Sequence, residues 1–336
     1  MLIENLQILC YDYVLMAKIF IAGGAGYVGS RLIPELLKDN HDITVLDILW
    51  FGNTLPKKVK ILKKDIFDID ESALAGFDQT IFLAGLSNDP MADHSPSQNF
   101  IYNSAAPSYL AYISKCAGVR RFIYASSASV YGFTDSKPRS EDSTPRSSFP
   151  YGISKFQGEC GSMYLADENF SVISLRKGTI SGWAPRMRFD LIVNTMYMKA
   201  MTEKKITINN PSIWRPILGM NDVIHAYRLA ISAPHTVSGI FNISSGNFTV
   251  GDVGKKVAEH FNKKYGASLV VDVKNITDNR NYKILTGKAE KILGFKPKET
   301  IESILAELDA NIGKGFDFSE EKYYNIQIFK KTVGKK

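Results

Sequence analysis

The chain has 336 residues, 45% hydrophobic and 22% charged, with a formal net charge of +7. This is the composition of a folded chain with one large core or two intimate ones, and it excludes a disordered or collagen-like polymer. No apolar run approaches the roughly 20 residues of a membrane span, and the basic residues are scattered without a nucleic-acid-binding signature. The three cysteines, Cys10, Cys116 and Cys160, share neither disulfide nor zinc spacing. No membrane, nucleic-acid or metal partner is expected, and the cysteines are expected to be buried free thiols in a reducing cytoplasm.

Residues 1–17 are fairly apolar, but Glu4 and Asp12 interrupt them and no Lys or Arg precedes, which argues against a secretory signal. They are expected to be an extension ahead of the core fold. Residues 18–22 (KIFIA) then predict a strand, a run of glycines follows, and residues 27–37 carry helical periodicity. Further strands are expected at residues 43–47, 59–62, 80–84, 121–125 and 172–175. Helical stretches precede several of them, notably 98–116, expected to bend at Pro107, and 154–167. Strands alternating with helices predict right-handed crossovers and an α/β, Rossmann-type doubly wound parallel sheet.

Beyond residue 176 the pattern loosens into loops and shorter elements, as expected of a smaller substrate-binding lobe over residues 181–312. A late strand at 239–244 is expected to bring residues 215–245 partly back to the main domain, residues 18–180. Residues 313–336 read as a tail, disordered in its Lys-rich end from Lys330.

Two groups of residues carry chemistry. Residues 23–29 (GGAGYVG) put glycines at a strand-to-helix turn, where backbone N–H groups and the positive helix end can meet a pyrophosphate. Asp47 ends the next strand, where a carboxylate accepts hydrogen bonds from a ribose 2′-OH and repels a 2′-phosphate. With no Arg or Lys at residues 48–51, NAD is preferred to NADP, and Asp65 after the third strand is placed to reach the adenine edge. Tyr151 and Lys155, four residues apart on one helix face, form a candidate general base, since an adjacent ammonium and the positive nicotinamide favour the phenolate.

The ordered set of residues 23–29, 82–87 (FLAGLS), Asn103, 126–132 (SSASVYG) and 151–155 (YGISK) resembles the extended short-chain dehydrogenases/reductases. More narrowly it resembles the NAD-dependent epimerase/dehydratase family acting on nucleotide sugars, over about residues 18–312. The resemblance implies that Tyr151 takes a sugar hydroxyl proton, that Lys155 lowers its pKa and holds the nicotinamide ribose, and that Ser127 hydrogen-bonds the reacting oxygen. It implies a cofactor site of Gly23, Gly26, Tyr27, Val28, Gly29, Asp47, Asp65, Ile66, Leu83, Ala84, Gly85, Asn103, Tyr151 and Lys155. On the substrate side it points to Ser87, Ser127, Thr179, Asn194, Arg215 and Arg280, the last three for the substrate pyrophosphate. A homodimer through the helices beginning near Gln98 and Ser154 is also implied.

Departures from the family pattern narrow the reaction. Sugar 4,6-dehydratases carry Asp-Glu where Ala128 and Ser129 stand, and the family's 3,5-epimerases carry Cys at Ser129, so both chemistries are disfavoured. Residues 186–190 (RMRFD), with Asn194 and residues 214–216 (WRP), resemble a bacterial subgroup of sugar-nucleotide epimerases and C4 dehydrogenases. Thr179 stands where the 4-epimerase pattern has Asn. The expected activity is nucleotide-sugar epimerisation at C4 through a transient 4-keto sugar, with a C4 dehydrogenase or 4-keto reductase as the alternative. An NAD-sensing regulator is disfavoured, because it has no need of the Ser/Tyr/Lys set.

Overall fold

A computed structural model describes residues 16–133, 137–266, 268–275, 280–313 and 315–333. Nearly all of the expected N-terminal extension, and the end of the Lys-rich tail, lie outside them. The strands are β1 (Lys18–Ala22), β2 (Asp42–Leu46), β3 (Lys60–Leu62), β4 (Gln79–Phe82), β5 (Arg121–Tyr124), β6 (Ser171–Lys177), β7 (Thr179–Ser181), β8 (Lys205–Asn209), β9 (Trp214–Gly219), β10 (Gly239–Ile243), β11 (Gly246–Thr249) and β12 (Val270–Lys274). The helices are α1 (Gly29–Lys38), α2 (Asp89–His94), α3 (Pro96–Phe100), α4 (Ala106–Cys116), α5 (Pro150–Tyr164), α6 (Ile192–Glu203), α7 (Met220–Ser232), α8 (Val250–Tyr265), α9 (Gly287–Leu293), α10 (Ile301–Asn311) and α11 (Asn325–Val333).

Seven strands form a parallel sheet in the order β3-β2-β1-β4-β5-β6-β10. Helices cover both faces, so β1, β4, β5 and β6 are buried nearly throughout rather than at alternate residues. After β3 the chain crosses back over β1 to begin β4. That reversal opens a crevice at the carboxyl ends of β1 and β4, where such sheets bind ligands.

The helix expected over residues 98–116 is divided. A π-turn, Ile101–Ala105, separates α3 from α4. Pro107 has no N–H for the carbonyl of Asn103 four residues back, and that carbonyl accepts instead from the Tyr124 hydroxyl of β5, 3.2 Å away. The proline therefore redirects a backbone acceptor to the sheet as well as disturbing the helix.

The second lobe is more regular than the sequence suggested. It holds the small sheet β11-β9-β7, the parallel pair β12-β8, and long helices, α8 burying Val250, Val253, Val257 and Phe261 at helical spacing. The chain rejoins the main sheet through α7 and β10, but β9 stays in the lobe, so the return begins at Met220 rather than at 215. The expected tail also differs. Within it, Asn325–Val333 is helical, and Phe329 is fully buried against Leu86, Met91 and Trp50, because its side chain recurs on the one apolar face of α11.

The helix α4 and the π-turn before it are in part a surface. Ile101, Tyr112 and Cys116 are exposed, as are Cys160 and Tyr164 on the neighbouring α5. Cys116 and Cys160 are therefore free but not buried, since both fall on the outer faces of these helices. No helix among the described residues is long and apolar enough to cross a membrane.

Candidate active site

The crevice is a cavity of about 630 Å³ running from the glycine turn, past the ends of β4 and β5, into the second lobe. At its first end Gly23 has φ +79°, and a Cβ there would lie 2.4 Å from the Ala84 backbone nitrogen. A Cβ on Gly29 would lie 2.2 Å from the Gly24 carbonyl. These glycines let β1, the β4 loop and the start of α1 approach closely, which leaves the backbone of residues 26–29 open to a ligand at the helix N-terminus. Asp47 sits beneath, its Oδ2 accepting from Ala25 N–H (3.0 Å) and its Oδ1 from Leu49 N–H (2.8 Å). Each oxygen keeps a lone pair for a ribose hydroxyl. Asp65 accepts from the Tyr102 hydroxyl at 2.7 Å, and Asp65, Ile66, Leu83, Ala84 and Gly85 continue the wall.

At the centre Pro150 opens α5, as favoured in a first helical turn, so Tyr151 and Lys155 project from its first turns into the cavity. The Tyr151 hydroxyl is hydrogen-bonded to Ser127, whose Oγ also accepts from Ser129 N–H at 3.1 Å. Burial pushes the Tyr151 phenol up to about 12, opposed by the Ser127 hydrogen bond and by the positive field of Arg188. Lys155 is 4% exposed, its Nζ 4.7 Å over the Tyr124 ring. Burial, and then the charge of Lys177, hold it well below the usual lysine range. Arg188, from the second lobe, is a cation whose charge favours the Tyr151 phenolate.

The sequence reading passed over four of the wall residues. Lys177 ends β6, bridges to Ser127 across the sheet edge, and has its Nζ 3.1 Å from the Tyr227 hydroxyl, with burial pushing it down to about 7. A titratable residue at the carboxyl end of a parallel strand was a signal available in advance. Arg188 grips Asp190 with two bonds, of 2.8 and 2.9 Å, and Asn88 adds a third to that carboxylate at 2.7 Å. Burial alone would raise Asp190, but the Arg188 charge and hydrogen bonds outweigh it and hold the carboxyl below its ordinary value. Arg186 also lines the cavity. The run 186–190 had marked a subgroup without disclosing that its alternate charged residues face one cavity.

Arg215 and Arg280 meet at the far end, with Arg215 donating to the Arg280 carbonyl and Arg280 paired with Asp89. Ser87 and Thr179 line the same cavity. Two expected residues do not. Asn194 is fully buried behind the wall, where its Nδ2 donates to the Tyr27 hydroxyl (3.0 Å) and the Arg188 carbonyl (2.9 Å), while its Oδ1 accepts from Gly182 N–H (3.0 Å). With its groups spent, it ties the glycine turn to the second lobe instead of touching a pyrophosphate. Asn103 is likewise buried, donating to the Leu86 carbonyl and to Asn99 Oδ1, so it braces the β4 loop from behind.

The NAD dependent epimerase/dehydratase family matches residues 19–244, and the chain belongs to that family. A UDP-glucose 4-epimerase of Corynebacterium glutamicum is 25% identical over 304 residues, covering 84% of this chain and 92% of that protein. Among solved structures, UDP-glucose 4-epimerase from Thermotoga maritima with UDP-glucose is 23% identical, covers 94% of this chain and 99% of its own, and superposes with a TM-score of 0.76. An NAD-dependent NDP-hexosamine 5,6-dehydratase of tunicamycin biosynthesis superposes equally well, TM-score 0.76 at 23% identity, covering 86% of this chain and 95% of its own. One fold thus carries different reactions, and the reaction must be argued from the site.

The cavity fits NAD. The glycines let the strand end, the β4 loop and the helix start approach more closely than a Cβ would permit, Asp47 has acceptors left for ribose hydroxyls, and Tyr151 and Lys155 line the same cavity further along.

Proposed function

We propose that this protein is a nucleotide-sugar 4-epimerase acting on a UDP-sugar or close relative. The observation that carries the reading is the hydroxyl pair at the centre of the cavity, Tyr151 bonded to Ser127, without the carboxylic acid pair that elimination of water uses. The neighbouring carboxylates offer no substitute: Asp89 is paired with Arg280 and Asp190 with Arg188, and Ala128 and Ser129 stand where a dehydratase has its acid pair. Proton removal and return at one hydroxyl carbon is what such a site can do, whereas eliminating water needs a second acid and base.

NAD, when bound, supplies the hydride acceptor and afterwards the donor at that carbon. Tyr151 takes the C4 hydroxyl proton, and Ser127 donates to the same oxygen as negative charge develops on it. Burial raises the Tyr151 phenol, so its use as a base depends on the cations around it. Arg188 supplies one such field, and Lys155, one turn along the same helix, would supply another with the cofactor's ribose held against it. Arg215 and Arg280 hold the substrate diphosphate, whose guanidinium contacts survive while the sugar turns to present its other face. Thr179 borders that region in place of the pattern's Asn, which favours a sugar or base differing from the common one.

Mass spectrometry of the ligands carried by the purified protein, followed by incubation with a panel of nucleotide sugars, tests this reading. The expected result is bound NAD and a C4 epimer seen by NMR. Release of a 4-keto sugar with equal NADH supports the C4 dehydrogenase instead.

The chain is further proposed to act as a cytoplasmic homodimer through α4 and α5. Tyr112 and Tyr164 are 56% and 88% exposed on these adjacent helices, and with Ile101 they form an apolar stripe. Light scattering at micromolar concentration should return twice the chain mass.

A further inference from the structure

We propose that Arg186 is the cation that meets the cofactor's diphosphate, and that the C-terminal helix α11 sets it there. The inference rests on the dinucleotide reading of the cavity. Arg186 comes from the second lobe, yet its backbone N–H donates to Ser30 Oγ in the first turn of α1, at 3.3 Å. Its guanidinium carbon lies over Phe51, 3.7 Å from the ring centroid, just past the end of β2. One terminal nitrogen donates to Asn325 Oδ1, and Asn325 Nδ2 in turn donates to Ser87 Oγ, 2.6 Å away in the β4 loop. The side chain thus lies between Phe51, just past Asp47, and the β4 loop at Ser87. A dinucleotide joining those two places must lay its diphosphate across that gap.

The bonding of Arg186 also points to an anion. The residue is 2% exposed, and its Nε is buried with no partner. One hydrogen on each terminal nitrogen meets a neutral oxygen, the Met187 carbonyl and Asn325 Oδ1, and among the described residues no carboxylate lies within ion-pair distance, Asp190 and Asp47 reaching it only through their longer-range fields. Burial holds this guanidinium down to about 9. A buried guanidinium with neutral partners costs free energy that a diphosphate would offset through a charge-assisted hydrogen bond. Absence of Lys or Arg from residues 48–51 had suggested that this region carried no cation. Packing brings one in from the lobe, over the Phe51 ring.

Calorimetric titration of the full chain with adenosine, ADP, NAD and NADP tests the assignment. Arg186→Met is expected to weaken ADP and NAD by about 10–100-fold, the range of a charge-assisted hydrogen bond, and to leave adenosine unchanged. Arg186→Lys should recover part of the loss, and Asn325→Ala should weaken ADP by less than Arg186→Met. Equal losses for adenosine and ADP, or unchanged ADP, would overturn the proposal. A loss confined to NADP would overturn it too, by assigning Arg186 to a 2′-phosphate. Should Arg186→Met not fold, Arg186→Lys and Asn325→Ala decide by the same comparison of ADP with adenosine. Wild-type protein that binds neither ADP nor NAD would contradict the dinucleotide reading itself, a separate failure.

Discussion

The two ends of the cavity are built by opposite means. At the glycine turn the binding groups are backbone N–H donors, fixed once β1, the β4 loop and α1 have packed, and side chains mostly have to stay out of the way. At the lobe end the binding groups are side chains, Arg188, Arg215 and Arg280, two of them already held in ion pairs within the protein. A backbone site is specified locally by a few residues that cannot be larger. A side-chain site is specified by partners far along the chain, and it can change its ligand without changing the fold.

Substitutions on either side sharpen the contrast. The largest effect on turnover is expected at the centre, where Tyr151→Phe removes one hydroxyl: turnover should fall by about 10²–10⁴-fold or more while NAD titration stays near wild type. Near-normal turnover would remove Tyr151 from the mechanism. At the backbone end Gly23→Ala forces a Cβ against Ala84 at positive φ, so chemical denaturation should report a loss of about 1–3 kcal/mol, together with weaker NAD binding. Asp47→Ala should weaken NAD by about tenfold, one charge-assisted hydrogen bond, and narrow its advantage over NADP in paired titrations.

At the lobe end the pair can be removed together as Arg188→Met with Asp190→Asn, which avoids leaving a lone buried charge. The sign follows from the base: activity rises as Tyr151 loses its proton, and Arg188 lowers that pKa. Without Arg188 the acid limb of the kcat/KM profile should move to higher pH, by about one unit. An unmoved limb would return the activating role to Lys155 alone. The smallest effect on binding is expected from Asn194→Ala, which should cost about 1–3 kcal/mol of stability for its buried partners yet leave the substrate KM nearly unchanged in the folded fraction.

This division also explains what was legible in the sequence. The glycine turn, Asp47, the alternation of strands and helices and the Tyr151/Lys155 pair are local patterns whose spacing carries their geometry, and the structure gathers the named residues along one cavity. Asn194 and Asn103 were matched by position, but position does not say which way a side chain faces, and both turned out to brace the wall from behind. Arg186 and Arg188 were noticed as a run without a role, because only tertiary packing sets Arg186 over Phe51 and Arg188 beside Tyr151. The helix α11 fell within the part read as tail because the Lys-rich end from Lys330 overlaps it, although Phe329 gives it an anchor that composition hides.

The central claim is transfer and return at one carbon. A nucleotide sugar deuterated at C4, incubated with enzyme and a large excess of unlabelled NADH, distinguishes return from release. The account predicts that both epimers keep deuterium at C4 and that no keto sugar accumulates. Deuterium lost from C4 into the free cofactor pool, with keto sugar released, would contradict it.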